Sequence, residues 1–183
     1  MTLSISAEHG MNRIRRLSTA VRWLSALGAL TLLLLPPVFW LQPDWVASVA
    51  QREWNLPMIQ LDLGSRLAGL VASGVQALVG LWAMWEIWQL FGCFARGEVL
   101  APRPTRHLHR LGRALVALAV AMPISNTLTV LALTWHNPPG HRQLVLNISG
   151  HDYMALLFGL VLLALATVLK EATRVAQEHA EFI

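Results

Sequence analysis

Four long apolar stretches, with nearly all the Arg and Lys gathered on one side of them, constrain this chain more than any other feature. The stretches run from about Val21 to Leu41, Leu67 to Phe94, Ala114 to Trp135 and Met154 to Leu169. At about 1.5 Å of rise per residue, these are helix lengths of the order needed to cross roughly 30 Å of hydrocarbon. The expected fold is therefore an all-α membrane protein, a four-transmembrane-helix bundle. Residues 1–183 would form one integral membrane domain, with spans near 21–41, 67–94, 114–135 and 154–169 and a cytoplasmic tail at 170–183. Such a chain leaves room for short loops but not for a separate catalytic domain.

Composition agrees with this reading. The apolar share is 55% and the charged share 13%, against a quarter charged in ordinary soluble domains; the mean hydropathy is +0.51. An isoelectric point near 10.6 would suit a nucleic-acid binder, but the placement of charge points elsewhere. Arg13, Arg15, Arg16 and Arg22 precede the first span. Arg96, Arg103, Arg106, Arg110 and Arg113 lie between the second and third, and Lys170 and Arg174 follow the fourth. Eleven of the fourteen basic residues thus share one side, against Arg52, Arg66 and Arg142 on the other. The positive-inside rule then places both termini in the cytoplasm, and the expected location is a bacterial cytoplasmic (inner) membrane, crossed several times. Topology accounts for the excess charge, so no direct nucleic-acid partner is expected.

The basic, then apolar, N-terminus resembles a secretory signal, but its apolar run ends in Trp40-Leu41-Gln42-Pro43-Asp44 with no small-residue cleavage site, so it is expected to be retained as a span. The single cysteine, Cys93, can form no internal disulfide and reads as a small buried hydrophobe.

Two outer loop segments resemble each other. Met58-Ile59-Gln60-Leu61-Asp62-Leu63-Gly64-Ser65 and Gln143-Leu144-Val145-Leu146-Asn147-Ile148-Ser149-Gly150 both alternate apolar with polar residues, and each ends in Gly and Ser just before a span. One reading is an internal duplication of two helical hairpins, with residues 59–63 and 144–148 pairing as a small two-stranded ladder outside the membrane. The other is two unrelated loops. Between the first span and this segment, Asp44 to Trp54 is expected to form a short interfacial helix capped by Asp44, with Trp45, Val46, Val49 and Trp54 at the headgroup level. Trp23, Trp40 and Trp135 are expected to be interface anchors. Pro36-Pro37 and Pro123 should kink or locally unwind their helices.

Polar residues inside spans are the usual pointers to function. Glu86, with Trp82 and Gln89 on its helical face, would cost about 2.5 kcal/mol or more as an unpaired charge in hydrocarbon. It must be paired, protonated or reached by water, either as a proton- or cation-responsive group or as a structural acid bonding to another helix. Its expected partner is the Ser125 to Thr129 stretch or the first span. The candidate intramembrane polar site is Glu86, Gln89, Ser125 and Asn126. Ser125-Asn126-Thr127 and Thr129 follow Pro123, while Gly69, Ser73, Gln76 and Gly80 share one face of the second span, where small residues allow close contact and amides and hydroxyls can bond between helices.

Catalytic patterns are missing from the sequence: it holds no phosphate loop, no Gly-x-Ser-x-Gly elbow and no His-Glu-x-x-His pair. His136, His141 and His151 lie outside with Asp152, at spacings matching no established metal site. With His107 and His109 inside, none stands within a span to hold a haem. No catalytic residue, cofactor or metal is expected. On the inner side Arg103, Arg106, Arg110 and Arg113 recur every three or four residues. They form a basic stripe that can meet anionic lipid, or dock the acidic tail around Glu171, Glu178 and Glu181, or a cytosolic or membrane protein partner. A second copy of the chain is a further candidate partner.

The loop Leu90-Phe91-Gly92-Cys93-Phe94-Ala95-Arg96-Gly97-Glu98-Val99-Leu100, followed by His107-Leu108-His109-Arg110-Leu111-Gly112, resembles the hallmark loop of a widespread bacterial family of small four-helix membrane proteins classed as a domain of unknown function. The ending from Leu169 to Ile183, an acidic amphipathic segment closing on Phe182-Ile183, is similar to that family's C-terminus. Leu100 stands where the family usually has Phe, and His179 where Asn is common. Some members are encoded beside small helix-turn-helix regulators, so the resemblance implies a membrane component of a regulatory pair and supplies no catalytic residues. Two classes of function follow. The first is a non-enzymatic sensor, anchor or regulatory partner presenting its basic loop and acidic tail. The second is a small transporter or carrier using Glu86. The lack of a second charged site within the spans favours the first.

Overall fold

The computed structural model describes residues 2–54, 56, 61–98, 101–135, 137, 144, 146 and 148–181, apart from the side chains of residues 2–12, 176–177 and 179–181. The described residues form five helices and no strand: α1 (Thr2–Leu41), α2 (Pro43–Trp54), α3 (Leu63–Ala95), α4 (Pro102–Thr134) and α5 (Gly150–Glu181). Helices α1, α3, α4 and α5 each contain a window of mean hydropathy 1.7 to 2.2 long enough to cross a membrane, and only 11% to 33% of each window is buried inside the protein. The remaining Leu, Val and Phe side chains form far more exposed apolar surface than water tolerates. The chain is a multi-pass membrane protein.

Among the described residues the expected outer ladder finds no support. Leu63, Gly64 and Ser65 lie in the first turn of α3, Leu61 and Asp62 are irregular, and Gly150 opens α5; residues 58–60, 143, 145 and 147 of the two segments lie outside the described residues. The period-two pattern concealed two helix caps. The Ser65 amide donates to Asp62 Oδ1 at 3.2 Å. At α5 the Asp152 amide donates to Ser149 Oγ at 3.3 Å, and the Ser149 amide to Asp152 Oδ2 at 2.7 Å. That reciprocal pair is a capping box, which satisfies amides that the first helical turn leaves without partners. Nor do the prolines unwind their helices, since α1 and α4 are helical through Pro36-Pro37 and Pro123.

The chain divides into two compact units, to each of which α1, α3, α4 and α5 contribute: residues 1–29, 82–116 and 157–183 in one, residues 30–81 and 117–156 in the other. The second unit is built around Trp40, Val46, Ala50, Leu56, Val130 and Leu133. Helix α2 starts where Pro43 fits the first helical position, with the Val46 amide donating to Gln42 O at 3.1 Å. Its Val46 and Ala50, one turn apart, are wholly buried. Asp44 is an exposed first-turn residue, and Gln42 holds the cap position. Trp40 is a core residue, 3% exposed, in place of the expected interface anchor. Its ring lies so close to Gly69 that a Cβ there would stand 2.0 Å away. Its indole donates to Ser73 Oγ at 3.0 Å, and Arg66 Nε caps its carbonyl at 2.8 Å. Trp23 and Trp135 do remain largely exposed.

The first unit centres on Ala83, Leu90, Leu111 and Ala114. Here α4 and α5 meet backbone to backbone at two glycines. A Cβ on Gly112 would lie 3.0 Å from Gly159 O, and one on Gly159 2.9 Å from Val116 N. Small residues allow membrane helices to approach this closely, where dispersion forces rather than water exclusion hold them.

Candidate functional site

Helix α4 begins at Pro102, well before its apolar run, so the segment from Arg103 to Arg113 is rigid helix rather than loop. This places His107 on the buried side: it precedes Leu111 by four residues and Ala114 by seven, and both are core. From α3, Glu86 enters the same unit at 3% exposure. His107 Nδ1 lies 2.7 Å from Glu86 Oε2, Trp82 Nε1 donates to Oε1 at 3.2 Å from the preceding turn, and Arg110 NH1 stands 4.0 Å from the same oxygen. Both carboxylate oxygens are thus engaged, which offsets the cost of burying them. The partner differs from the expected Ser125 to Thr129 stretch or first span: it is His107, which the apolar pattern leaves outside the spans but the helix carries inward.

Beside this cluster Arg22 of α1 lies 4.2 Å over the Trp88 ring, and Trp23 meets Trp88 edge-on at 6.5 Å. Gln89 is half-buried and shares no bond with Glu86 among the described contacts. At the end of α3, Arg96 Nε donates to Glu98 Oε1 at 3.1 Å, and this carboxylate holds the exposed guanidinium more firmly protonated.

Arg103, Arg106, Arg110 and Arg113 are all exposed. Among the described residues none is ion-paired to α5, whose Arg174 bonds Glu171 and lies 3.7 Å from Glu178 on its own helix. Helices α4 and α5 instead line a groove of about 500 Å³ with Arg106, His109, Lys170, Glu171 and Arg174 among its walls. His151 is exposed and Asp152 is committed to its cap; His136 and His141 lie outside the described residues.

Ser125 and Asn126 belong to the second unit. Ser125 Oγ donates to Ala72 O at 2.7 Å, bonding α4 to α3 as the sequence anticipates, while Asn126 borders a separate cavity with Gln76 and Thr129. Ser73 on α3 instead accepts from Trp40 of α1.

Residues 63–183, more than half of the chain, match a family described as a protein of unknown function, DUF2975. The chain belongs to the DUF2975 family. The matched part of this DUF2975 protein takes in α3, α4 and α5 and thus Glu86, His107 and the arginine stripe. No curated protein and no solved structure matches the chain.

Proposed function

We propose that this DUF2975 protein is a non-catalytic regulatory component of a bacterial inner membrane, with both termini in the cytoplasm, that presents its basic end to a cytosolic protein partner. The observation that carries the reading is the exposure of Arg103, Arg106, Arg110 and Arg113 on the first turns of a single helix, Arg106 also lining the α4–α5 groove. A row of guanidiniums fixed on a rigid element presents directed donors to carboxylates, and contact of the same row with anionic headgroups would hold that end at the bilayer surface. The charge asymmetry supports the orientation. The carrier reading draws less support, because both oxygens of Glu86 are occupied by Trp82 and His107, as in a group that positions helices.

The test is genetic. Deletion in the native host should change a defined set of transcripts, and wild-type protein should restore them. A triple Arg103→Gln, Arg106→Gln, Arg113→Gln variant, inserted at normal level, should not. Equal complementation by the variant, or a change in solute uptake with unaltered transcripts, would overturn the reading in favour of a carrier.

A further inference from the structure

Within the second unit, α1, α2, α3 and α4 line a partly open pocket of about 210 Å³ whose walls include Trp45, Trp54, Gln76, Ser125, Asn126 and Thr129 and no ionisable side chain. Its serines are spent on structure: Ser125 Oγ donates to Ala72 O, and Ser73 Oγ accepts from Trp40 while donating to Gly69 O. The Gln76 and Asn126 amides and the Thr129 hydroxyl have no partner among the described residues. Polar groups at membrane depth that serve packing bond to neighbouring helices or backbone, because an unmet amide in apolar surroundings is costly. These three groups are not sealed in the core: they line one open pocket without an internal partner, and so can bond a molecule that enters it.

The walls state what that is. An apolar cavity of about 150 Å³ accepts benzene, so this one has room for a single six-membered ring with a small polar substituent. The indoles of Trp45 and Trp54 offer faces and edges to a ring. Two carboxamides and a hydroxyl supply donors and acceptors together, and without a cation or anion in the wall a charged ligand would lose its hydration uncompensated.

We propose that this cavity is a binding site for a small uncharged cyclic molecule bearing a carboxamide or hydroxyl group, held by Gln76, Asn126 and Thr129. The site does not depend on the role of the arginine stripe, which lies on residues of the other unit, so either proposal can fail alone.

The experiment uses the full chain in phosphatidylcholine nanodiscs with 4-fluorobenzamide as probe, followed by fluorine NMR line width, and 4-fluorobenzoate as the charged analogue of the same shape. The benzamide should broaden saturably and the benzoate should not. Gln76→Leu and Asn126→Leu should each weaken binding about tenfold, the effect of one lost hydrogen bond, and Val168→Ala on exposed α5 should change nothing. Both leucine variants should unfold at or above the wild-type temperature, since no internal bond is lost. Thr129→Val, which keeps the shape without the hydroxyl, carries the test should a leucine variant misfold. Broadening equal to that in empty nanodiscs, equal binding of the benzoate, indifference to all three substitutions, or stability losses in the leucine variants would each overturn the site.

Discussion

Replacing Glu86 tests whether one buried carboxylate joins α3 to α4. Glu86→Ala removes the acceptor for Trp82 Nε1 at 3.2 Å and the partner of His107 Nδ1 at 2.7 Å. Each orphaned buried group costs about 1–3 kcal/mol. Because the His107 side chain keeps 22% of its exposure, water can reach it in part, and the total should fall at about 2–4 kcal/mol. Arg110, at 4.0 Å and 55% exposed, adds a few tenths at most, as exposed ion pairs do. Glu86→Gln should cost under about 1 kcal/mol, since its amide oxygen still accepts from Trp82 and its NH₂ can donate to His107 Nδ1 once the imidazole proton sits on Nε2. The assay is reversible unfolding in mixed micelles, followed by tryptophan emission, for wild type, both Glu86 variants, His107→Ala and the double alanine variant. The double variant should fall short of the sum of the singles by about 1–3 kcal/mol. Additivity within about 0.5 kcal/mol, or wild-type stability of Glu86→Ala, would refute the pairing.

Gly69→Val should destabilise the protein by about 1–3 kcal/mol or more, because a Cβ there meets the buried Trp40 ring at 2.0 Å; an unchanged unfolding midpoint would show that the ring has room to move. Ser149→Ala should cost about 1 kcal/mol by opening the capping box of α5, and Ser149→Asp should recover most of it in the same titration. Cys93 is 2% exposed, so a charged maleimide should label the native protein slowly and the SDS-unfolded protein at once, with equal rates counting against the packing around it. A reporter active only in the periplasm should be silent when fused after Ile183 while a cytoplasmic reporter works, and the reverse pattern would invert the proposed orientation.

Glu86 and Trp82 are legible as neighbours in the sequence because four residues on a helix make about one turn. His107 is not, because the apolar run that marks the third span starts at Ala114, whereas α4 starts at Pro102. The signal lies in the spacing of His107, Leu111 and Ala114, all on one helical face, but the arginines between them mask it. The loop segments mislead in the opposite direction. Their alternation suggests strands, yet Asp62 to Ser65 and Ser149 to Asp152 have the three-residue spacing of helix caps, and at a helix start the cap decides the backbone.

Hydrophobic length by itself determined that four helices are long and apolar enough to cross a membrane, because hydrocarbon demands internally bonded backbone over a fixed thickness. Only the tertiary structure decided which polar residues answer one another. Trp40 turned from lipid interface to core over Gly69, Ser125 bonded the α3 backbone, His107 met Glu86, and Gln76 and Asn126 were left facing a cavity. Periodicity fixes the face on which a side chain stands. The rotation and depth at which two helices meet are set by the packing of all their neighbours at once, and no single segment carries that information.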